Sequence, residues 1–328
     1  MKTVYARPFK SFERLLGDLL RHRGYELKEL TLDSKLTPND VAIFKDVNVY
    51  RTLQWFRKVL LMRRQGVPMI LRIEEPPVVV PYNHVRLFHL PFKRIFTWND
   101  KQADQKRYLK VFGPRDRHTL LTPSGVQRTL PKTTRPTKTN LLCVMNANKR
   151  ATLPFFPGSL QNARHRAMRF FDRHMPSQFL VYGRGWDKPY SWRERIFGVE
   201  PYANYLGWVD DKAAAIGKSK FIICYENMIK EGYVSEKIFD AFNAKVVPIY
   251  WGDPRITDRV PKNTFIDRRD FRSLRELLSF LQNMDQQTYD GYLDNIERFM
   301  DSAEWEKWTR ARFAEMLLDA IDNTSWND

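Results

Sequence analysis

The stretch from Phe221 to Phe242 holds the densest set of side chains able to do chemistry. It runs Phe221-Ile222-Ile223-Cys224-Tyr225-Glu226-Asn227, a polar turn over Met228 to Gly232, then Tyr233-Val234-Ser235-Glu236-Lys237-Ile238-Phe239-Asp240-Ala241-Phe242. The first part has the apolar character of a buried strand. In the last part Val234, Ile238, Ala241 and Phe242 recur at helical spacing and predict a helix with one buried face. Glu236 suits the positive end of that helix. Lys237 does not, because a cation in the first turn opposes the helix dipole. An isolated lysine in that position points into solvent by default. Here it follows a strand end carrying Glu226 and Asn227, at a helix start whose free amides attract anions. A phosphate held between them would make the placement favourable.

The elements that must position these residues come from a chain of 328 residues, long enough for about two domains. A hydrophobic share of 43% and an aromatic share of 14% exclude a disordered or fibrous chain. Fifty-five basic against 38 acidic side chains leave a net charge of +17, which implies an anionic partner: nucleic acid, a membrane surface or a phosphorylated small molecule. Gly183-Arg184-Gly185 lacks the third glycine of a dinucleotide fingerprint, and neither a GKS/T nor a GxSxG sequence occurs. Hydride-transfer enzymes and P-loop ATPases therefore lose ground. Cys143 and Cys224 are the only cysteines, each inside an apolar run, and read as small buried thiols. That excludes a disulfide scaffold and a four-cysteine zinc site. The six histidines show no HExxH spacing. Asp210-Asp211 reads as a loop or helix cap rather than a metal-binding pair. Asn323-Thr324-Ser325, formally a glycosylation sequon, reads as a frayed tail.

Along the chain, strand and helix signals alternate in two blocks. An N-terminal amphipathic surface helix carries Leu15, Leu16, Leu19 and Leu20. A strand around 41–47, a basic helix over 54–65, a strand over 67–73 ending at Glu74-Glu75-Pro76-Pro77, and a strand around 94–97 follow. Residues 128–139, rich in Thr, Pro, Lys and Arg, read as a linker or surface loop. The alternation restarts with strands over 141–145, 179–182, 220–225 and 246–251 and helices over 161–174 and 234–244, and closes in helical text beyond Phe271. Two blocks of this kind predict two Rossmann-like, doubly wound α/β domains, residues 1–139 and 140–328, the second with the terminal helices. Ligands in such sheets bind beyond the carboxyl ends of the strands, so a cleft between the domains is the expected site. No uninterrupted apolar run is long enough for a signal peptide or a membrane-spanning helix, so the expected location is cytoplasmic, with at most peripheral contact with a membrane.

The run CYENMIKEGYVSEKIFDAFNAKVVPIYWGDP resembles the signature of the alpha-1,3-fucosyltransferases, glycosyltransferase family 10, in a form without an N-terminal membrane anchor. Asn227, Tyr233, Glu236, Lys237, Pro248 and Gly252 match its positions. Tyr225 stands where that family commonly has Phe, and Ser235 where it commonly has Thr. Glu75-Pro76-Pro77, Phe96-Thr97-Trp98, Tyr182-Gly183-Arg184-Gly185-Trp186 and Tyr205-Leu206-Gly207 are similar to its flanking blocks, so the resemblance runs from about residue 67 to about residue 315. The first 60 or so residues carry little of it.

The resemblance implies a GT-B architecture with an N-terminal acceptor domain and a C-terminal GDP-fucose domain. It also implies inverting transfer of fucose to an N-acetylglucosamine unit of an N-acetyllactosamine-type glycan, most simply in α-1,3 linkage. One carboxylate must then take the acceptor proton, and cations must hold the departing diphosphate. Glu75 is the candidate base, with Glu74 the alternative. Arg164 and Lys237 are the candidates for the diphosphate, Arg166 and Arg169 being neighbours easily confused with Arg164. Asn227 and Tyr233 would hydrogen-bond the donor. Glu236 would accept the ribose hydroxyls or face the positive charge developing on fucose. No cofactor is required, and a divalent metal is at most stimulatory, because cationic side chains can take its place. Trp98, Trp186 and Trp251 are open to sugar stacking or to a core role.

Two other readings compete: a GT-B enzyme with another nucleotide-sugar donor, and a basic nucleic-acid-binding protein. The scattered cations and the absence of zinc-finger or RNA-binding signatures argue against nucleic acid as a partner. One nucleotide sugar needs few of the 55 cations. The remainder, Arg57-Lys58 and Arg63-Arg64 included, is expected to face an anionic membrane or an acidic glycan.

Overall fold

The computed structural model describes residues 2–7, 11–47, 52–103, 106–111, 120–122, 125–127, 134–148, 156–189 and 192–322. The sequon at Asn323 and the first half of the expected linker lie outside these residues. In chain order the first elements are β1 (Lys2–Arg7), α1 (Ser11–His22), β2 (Tyr25–Glu29), β3 (Val41–Lys45), α2 (Leu53–Arg64), β4 (Met69–Arg72), β5 (Arg94–Thr97), β6 (Tyr108–Lys110), β7 (Leu120–Thr122) and β8 (Gly125–Gln127). They continue with β9 (Asn140–Met145), α3 (Gln161–His174), β10 (Phe179–Tyr182), α4 (Trp192–Phe197), β11 (Tyr205–Gly207), α5 (Lys212–Gly217), β12 (Ser219–Tyr225) and α6 (Glu236–Asn243). The last are β13 (Val247–Trp251), β14 (Ile266–Asp267), α7 (Leu274–Asn283), α8 (Gln286–Met300), α9 (Ala303–Glu306) and α10 (Arg310–Asp322).

Two parallel six-stranded sheets result. The first has the order β2-β1-β3-β4-β5-β6 and the second β11-β10-β9-β12-β13-β14. Each chain path begins inside its sheet, builds outward on one side and then returns to build on the other. The second order is that of the dinucleotide-binding α/β sheet, in which the strand order reverses between β9 and β12. The α/β class with two doubly wound sheets is therefore as expected from the sequence.

The chain divides into two compact units, residues 1–131 with 306–328, and residues 132–305. In the first unit the sheet sorts its side chains by the strand period of two. Val41 and Ile43 of β3 join one core with Leu16 and Leu20 of α1, while Ala42 and Phe44 join the opposite core with Trp55, Val59 and Met62 of α2. Helix α1 thus buries the apolar side expected of an amphipathic surface helix. Helix α10, counted with the second block in the sequence, also belongs here. Phe313, Leu317 and Ile321 recur every four residues and pack on the α1 face of the first sheet. Phe313 meets Phe96 edge to face with ring centroids 5.5 Å apart. Asp322 accepts hydrogen bonds from Tyr25 Oη, 2.7 Å, and from Arg23. A linear reading carries no information on which sheet a late amphipathic helix will cover, and α1 alone does not cover this face.

In the second unit α3 buries Phe171 against Phe179 of β10, α6 buries Ile238, Phe239, Ala241 and Phe242, and α8 sets Tyr289 edge to face with Phe221 of β12. The predicted helix over 234–244 starts two residues later than expected, with Ser235 as its N-cap. Asp211 accepts a hydrogen bond from Ala214 N, 3.0 Å, and caps α5, the role expected of the Asp210-Asp211 pair. Cys143 and Cys224 are both fully buried free thiols, and burial pushes the Cys143 thiol up to about 12.

Leu317→Ala would leave a cavity in the core shared by α1, α10 and the first sheet. The expected loss of stability is about 2–5 kcal/mol, measured by denaturant unfolding. A loss below about 0.5 kcal/mol, typical of an exposed position, would place α10 outside that core.

Candidate functional site

At the carboxyl end of β12 the chain leaves the second sheet through Glu226 and Asn227. Glu226 is fully buried. Its Oε1 accepts a hydrogen bond from Ser235 N, 2.6 Å, and its Oε2 one from Lys237 Nζ, 3.1 Å. The same ammonium donates to Ser235 Oγ, 2.7 Å away. Lys237 therefore turns inward rather than into solvent, and a buried carboxylate offsets the repulsion it meets at the start of α6. Gly252, just after β13, is the space that admits this pair: a Cβ there would lie 2.4 Å from Glu226 Cγ and 2.6 Å from Tyr250 Oη. The neighbouring Glu236 occupies the first turn of α6, where a carboxylate is favourable.

Arg164 projects from α3 to the same strand end. Its Nη2 donates to Tyr225 O, Glu226 O and Asn227 Oδ1 at 2.9, 3.0 and 3.3 Å. Asn227 Nδ2 in turn donates to Tyr233 Oη, 3.3 Å, and Asn227 O accepts from Leu160 N, 3.0 Å. The structure thus brings Arg164, Asn227, Tyr233, Glu236 and Lys237 to one place, around a carboxylate the sequence had marked only as a strand end. Of the neighbouring arginines, Arg166 is exposed. Arg169 turns away to stack on Tyr202, 4.0 Å from the ring centre, with Glu194 3.8 Å away.

This cluster borders the point where the strand order reverses. Next to it, β10 ends at Gly183 with φ of 118°, and a Cβ there would fall 1.9 Å from Asn146 O at the end of β9. Only glycine fits so close a backbone approach. Asn148 then ties the turn down, donating to Gly185 O at 2.7 Å and Lys188 O at 3.1 Å. Trp186 is buried with its Nε1 donating to Asn146 O, 2.6 Å, and Trp98 is buried too. Both are core residues, whereas Trp251 is half-buried and packs edge to face on Tyr225.

In the first unit Glu74 and Glu75 lie just beyond β4, and the structure treats them differently. Glu74 is paired with Arg72, 2.6 Å, and with Lys45. The backbone of Glu75 is pinned at both ends: its N–H donates to Asp46 Oδ1 at 3.1 Å and its carbonyl accepts from Asn83 Nδ2 at 3.0 Å. Asp46 Oδ1 also accepts from Glu74 N, 2.8 Å, and from Asn83 Nδ2, 2.6 Å. Asp46 has φ of 54°, in the left-handed region that aspartate tolerates better than most residues. Burial pushes its carboxyl up, against the two backbone N–H bonds that favour the ionised form. Behind it, His89 Nε2 lies 3.0 Å from Asn83 O, an acceptor, and His89 Nδ1 lies 3.0 Å from Tyr108 Oη. Burial holds the His89 imidazole below its usual range.

Residues 181–318 match the family described as glycosyltransferase family 10 (fucosyltransferase), C-term. This segment is similar to the C-terminal part of that family. A Helicobacter pylori alpha-(1,3)-fucosyltransferase is 32% identical over 104 residues, 31% of this chain and 22% of that protein. A chicken GDP-fucose protein O-fucosyltransferase 3 is 38% identical over 128 residues, 34% of this chain and 27% of that protein. The matched part thus spans about a quarter of these relatives' length. Across 99% of the chain, and 91% of the other, the fold is similar to a crystal structure of an alpha1,3-fucosyltransferase, with a TM-score of 0.57 at 14% identity. It is similar as well to Anabaena HepE in complex with UDP-glucose, with a TM-score of 0.60 at 10% identity. The fold is the GT-B class expected from the sequence.

The segment that matches family 10 encloses Glu226, Asn227, Tyr233, Glu236, Lys237 and Gly252, while Arg164 and Glu75 lie ahead of it. Sequence reasoning gave no role to Asp46 and Asn83, and named Glu226 only as a neighbour. An acid at the end of an apolar strand was the available signal for Glu226. For Asn83 there was none, since the Val47 and Asp46 groups its side chain bonds lie 36 and 37 residues away.

Gly252→Ala tests how tightly the Glu226–Lys237 pair is clamped. The added methyl meets buried side chains at the end of β13, so a loss of about 1–3 kcal/mol in stability is expected by denaturant unfolding. Wild-type stability in this variant would show that the strand end yields. Acidification gives a second test. A lowered imidazole pKa means that the unfolded chain binds the proton more readily. Stability is therefore complete above the unfolded value of about 6.5 and is lost below it. The melting temperature is expected to fall from about pH 7.5 to about pH 5.5 by more in wild type than in His89→Gln. Equal falls would remove His89 as a contributor.

Proposed function

We propose that the chain is an inverting fucosyltransferase that moves L-fucose from GDP-fucose to a hydroxyl of an N-acetylglucosamine unit in a glycan, in α-1,3 linkage. The observation that carries this reading is the Glu226-anchored cluster, in which the segment matching family 10 sets Asn227, Tyr233, Glu236 and Lys237 around one strand end at the start of α6. Fucosyltransferases among its relatives, and a fold similar to an alpha1,3-fucosyltransferase crystallised with GDP-fucose, support the choice of donor.

The acceptor hydroxyl oxygen attacks the anomeric carbon of fucose while the bond from that carbon to the diphosphate oxygen breaks. Glu75 takes the hydroxyl proton, and GDP leaves with the bonding electron pair. The backbone of Glu75 is fixed for this task by its bonds to Asp46 and Asn83. Lys237 and the first-turn amides of α6 face the charge gathering on the diphosphate. Arg164 shapes the same site by holding Asn227 and the strand-end carbonyls, and adds positive charge beside the diphosphate. Glu236 meets the ribose hydroxyls or the positive charge growing on the sugar. Cationic side chains supply the charge a metal would supply, so a bound divalent ion is at most stimulatory. In this reading the first unit serves the acceptor and the second the donor.

The test is GDP release from GDP-fucose in the presence of N-acetyllactosamine. Wild type is expected to turn over, and to continue with divalent ions chelated. Glu75→Gln is expected to lower kcat by roughly 10²–10⁴-fold, far more than Glu74→Gln. Lys237→Ala should lower kcat by about 10²-fold or more. No turnover by wild type, or unchanged turnover in both Glu75→Gln and Lys237→Ala, overturns the reading. A thermal-shift panel separates donors, because GDP and GDP-fucose alone should raise the melting temperature strongly. Relatives named as protein O-fucosyltransferases make a peptide acceptor the necessary second arm of the assay.

A further inference from the structure

Helix α2 covers one face of the first sheet with Trp55, Val59 and Met62. These three lie within about 60° of arc, and the opposite face should therefore be polar if it met only water. It is not. Leu53, Phe56 and Leu61 are 62%, 39% and 48% exposed, and half-buried Leu60 lies between them in the helical projection. Interleaved on that outer face are Arg57, Arg63 and Arg64, all exposed. Leu53–Arg64 contains no acidic residue at all. A helix that already buries one apolar stripe thus presents a second one, set among cations.

The same layer repeats the pattern. The short helical turn at Arg86–His89 packs on the core that α2 covers, through Phe88 and the neighbouring Phe92. It exposes Leu87 at 67% and Leu90 at 51%, beside exposed Arg86 and Lys93. Apolar side chains among arginines and lysines, without acids, fit an interface that is oily beneath and negative at its rim. That describes the headgroup region of an anionic bilayer. A polyanion such as RNA would use the arginines but leave Leu53, Phe56 and Leu61 in water.

We infer that the outer face of α2, together with the Arg86–Leu90 turn, is a peripheral docking surface for an anionic lipid membrane. The leucines and Phe56 enter the acyl boundary while the arginines meet the headgroup phosphates. One expectation from the sequence changes in detail. Lys58 does not face outward, since its Nζ donates to Ser34 O and burial lowers its pKa. The cationic set is Arg57, Arg63 and Arg64. None of these residues belongs to the strand-end clusters, so the inference is independent of the fucosyl-transfer reading.

The experiment is co-sedimentation of the full chain with vesicles of phosphatidylcholine alone, or of phosphatidylcholine with phosphatidylglycerol, with no nucleotide present. Binding is expected to the anionic vesicles only. Arg57→Gln with Arg64→Gln should weaken it about thirty-fold, from the usual contribution of a basic residue near a charged bilayer. Leu53→Ser with Phe56→Ser keeps every charge and should also weaken it by about tenfold or more. Circular dichroism and an unchanged melting temperature establish that both variants fold. Equal binding to neutral and anionic vesicles, or no binding to either, overturns the proposal. So does a result in which the arginine pair matters and the apolar pair does not, which would assign the face to a soluble polyanion.

Discussion

A carboxylate with no exposure to solvent has to be neutralised inside the protein, and the second unit is organised around how Glu226 achieves this. Its two oxygens take Ser235 N and Lys237 Nζ, so the start of α6 is fastened to the end of β12. Either partner alone would be poorly placed: Lys237 would oppose the helix dipole, and Glu226 would be a bare buried charge. Removing one member of such a pair typically costs about 3–5 kcal/mol, because the other is left uncompensated. The pair also dictates its surroundings. Gly252 has no side chain because Glu226 and Tyr250 fill the volume a Cβ would need. Asn227, one residue further, is presented at a fixed position between Arg164 and Tyr233.

The first unit solves the same problem with different residues. Asp46 is buried at a strand end, and its Oδ1 gathers Glu74 N, Glu75 N and Asn83 Nδ2. In both units a buried acid holds the backbone of a turn beyond a parallel strand. Parallel sheets make this arrangement natural. Their strands all end on one edge, and the turns there need internal partners for their backbone groups.

The net positive charge is distributed unequally between structure and surface. Arg135 is shared among Asp290, Asp294 and Glu297, Arg259 is paired with buried Asp253, and Arg269 with Asp267. These cations are committed to neighbours within the second unit. Those on α2 are not balanced by any acid on their own helix, and they lie among exposed apolar side chains that water alone does not favour. Composition expressed the excess of charge; the location of that excess depended on which face of α2 the first core claimed.

Sequence by itself determined the alternation of elements, because side-chain periodicity is a local property. The strands at Arg94–Thr97 and Phe179–Tyr182 and the helix at Gln161–His174 end where their patterns end. The family signature was likewise legible, since Asn227, Tyr233, Glu236 and Lys237 lie within eleven residues of one another on a strand–turn–helix. Short strands with mixed polarity, β1 and β2 among them, escaped because their stability comes from pairing partners rather than from pattern. Three matters were decided only by tertiary structure. Phe313 and Leu317 cover the first sheet rather than the second. Glu74 is engaged by Arg72 and Lys45, and the backbone of Glu75 is fixed by Asp46 and Asn83. Lys237 points at Glu226 and not at water. Each depends on which groups meet across tens to hundreds of residues of chain, and the free energy of a buried charge or an apolar stripe is set by those neighbours rather than by the residues beside it in sequence.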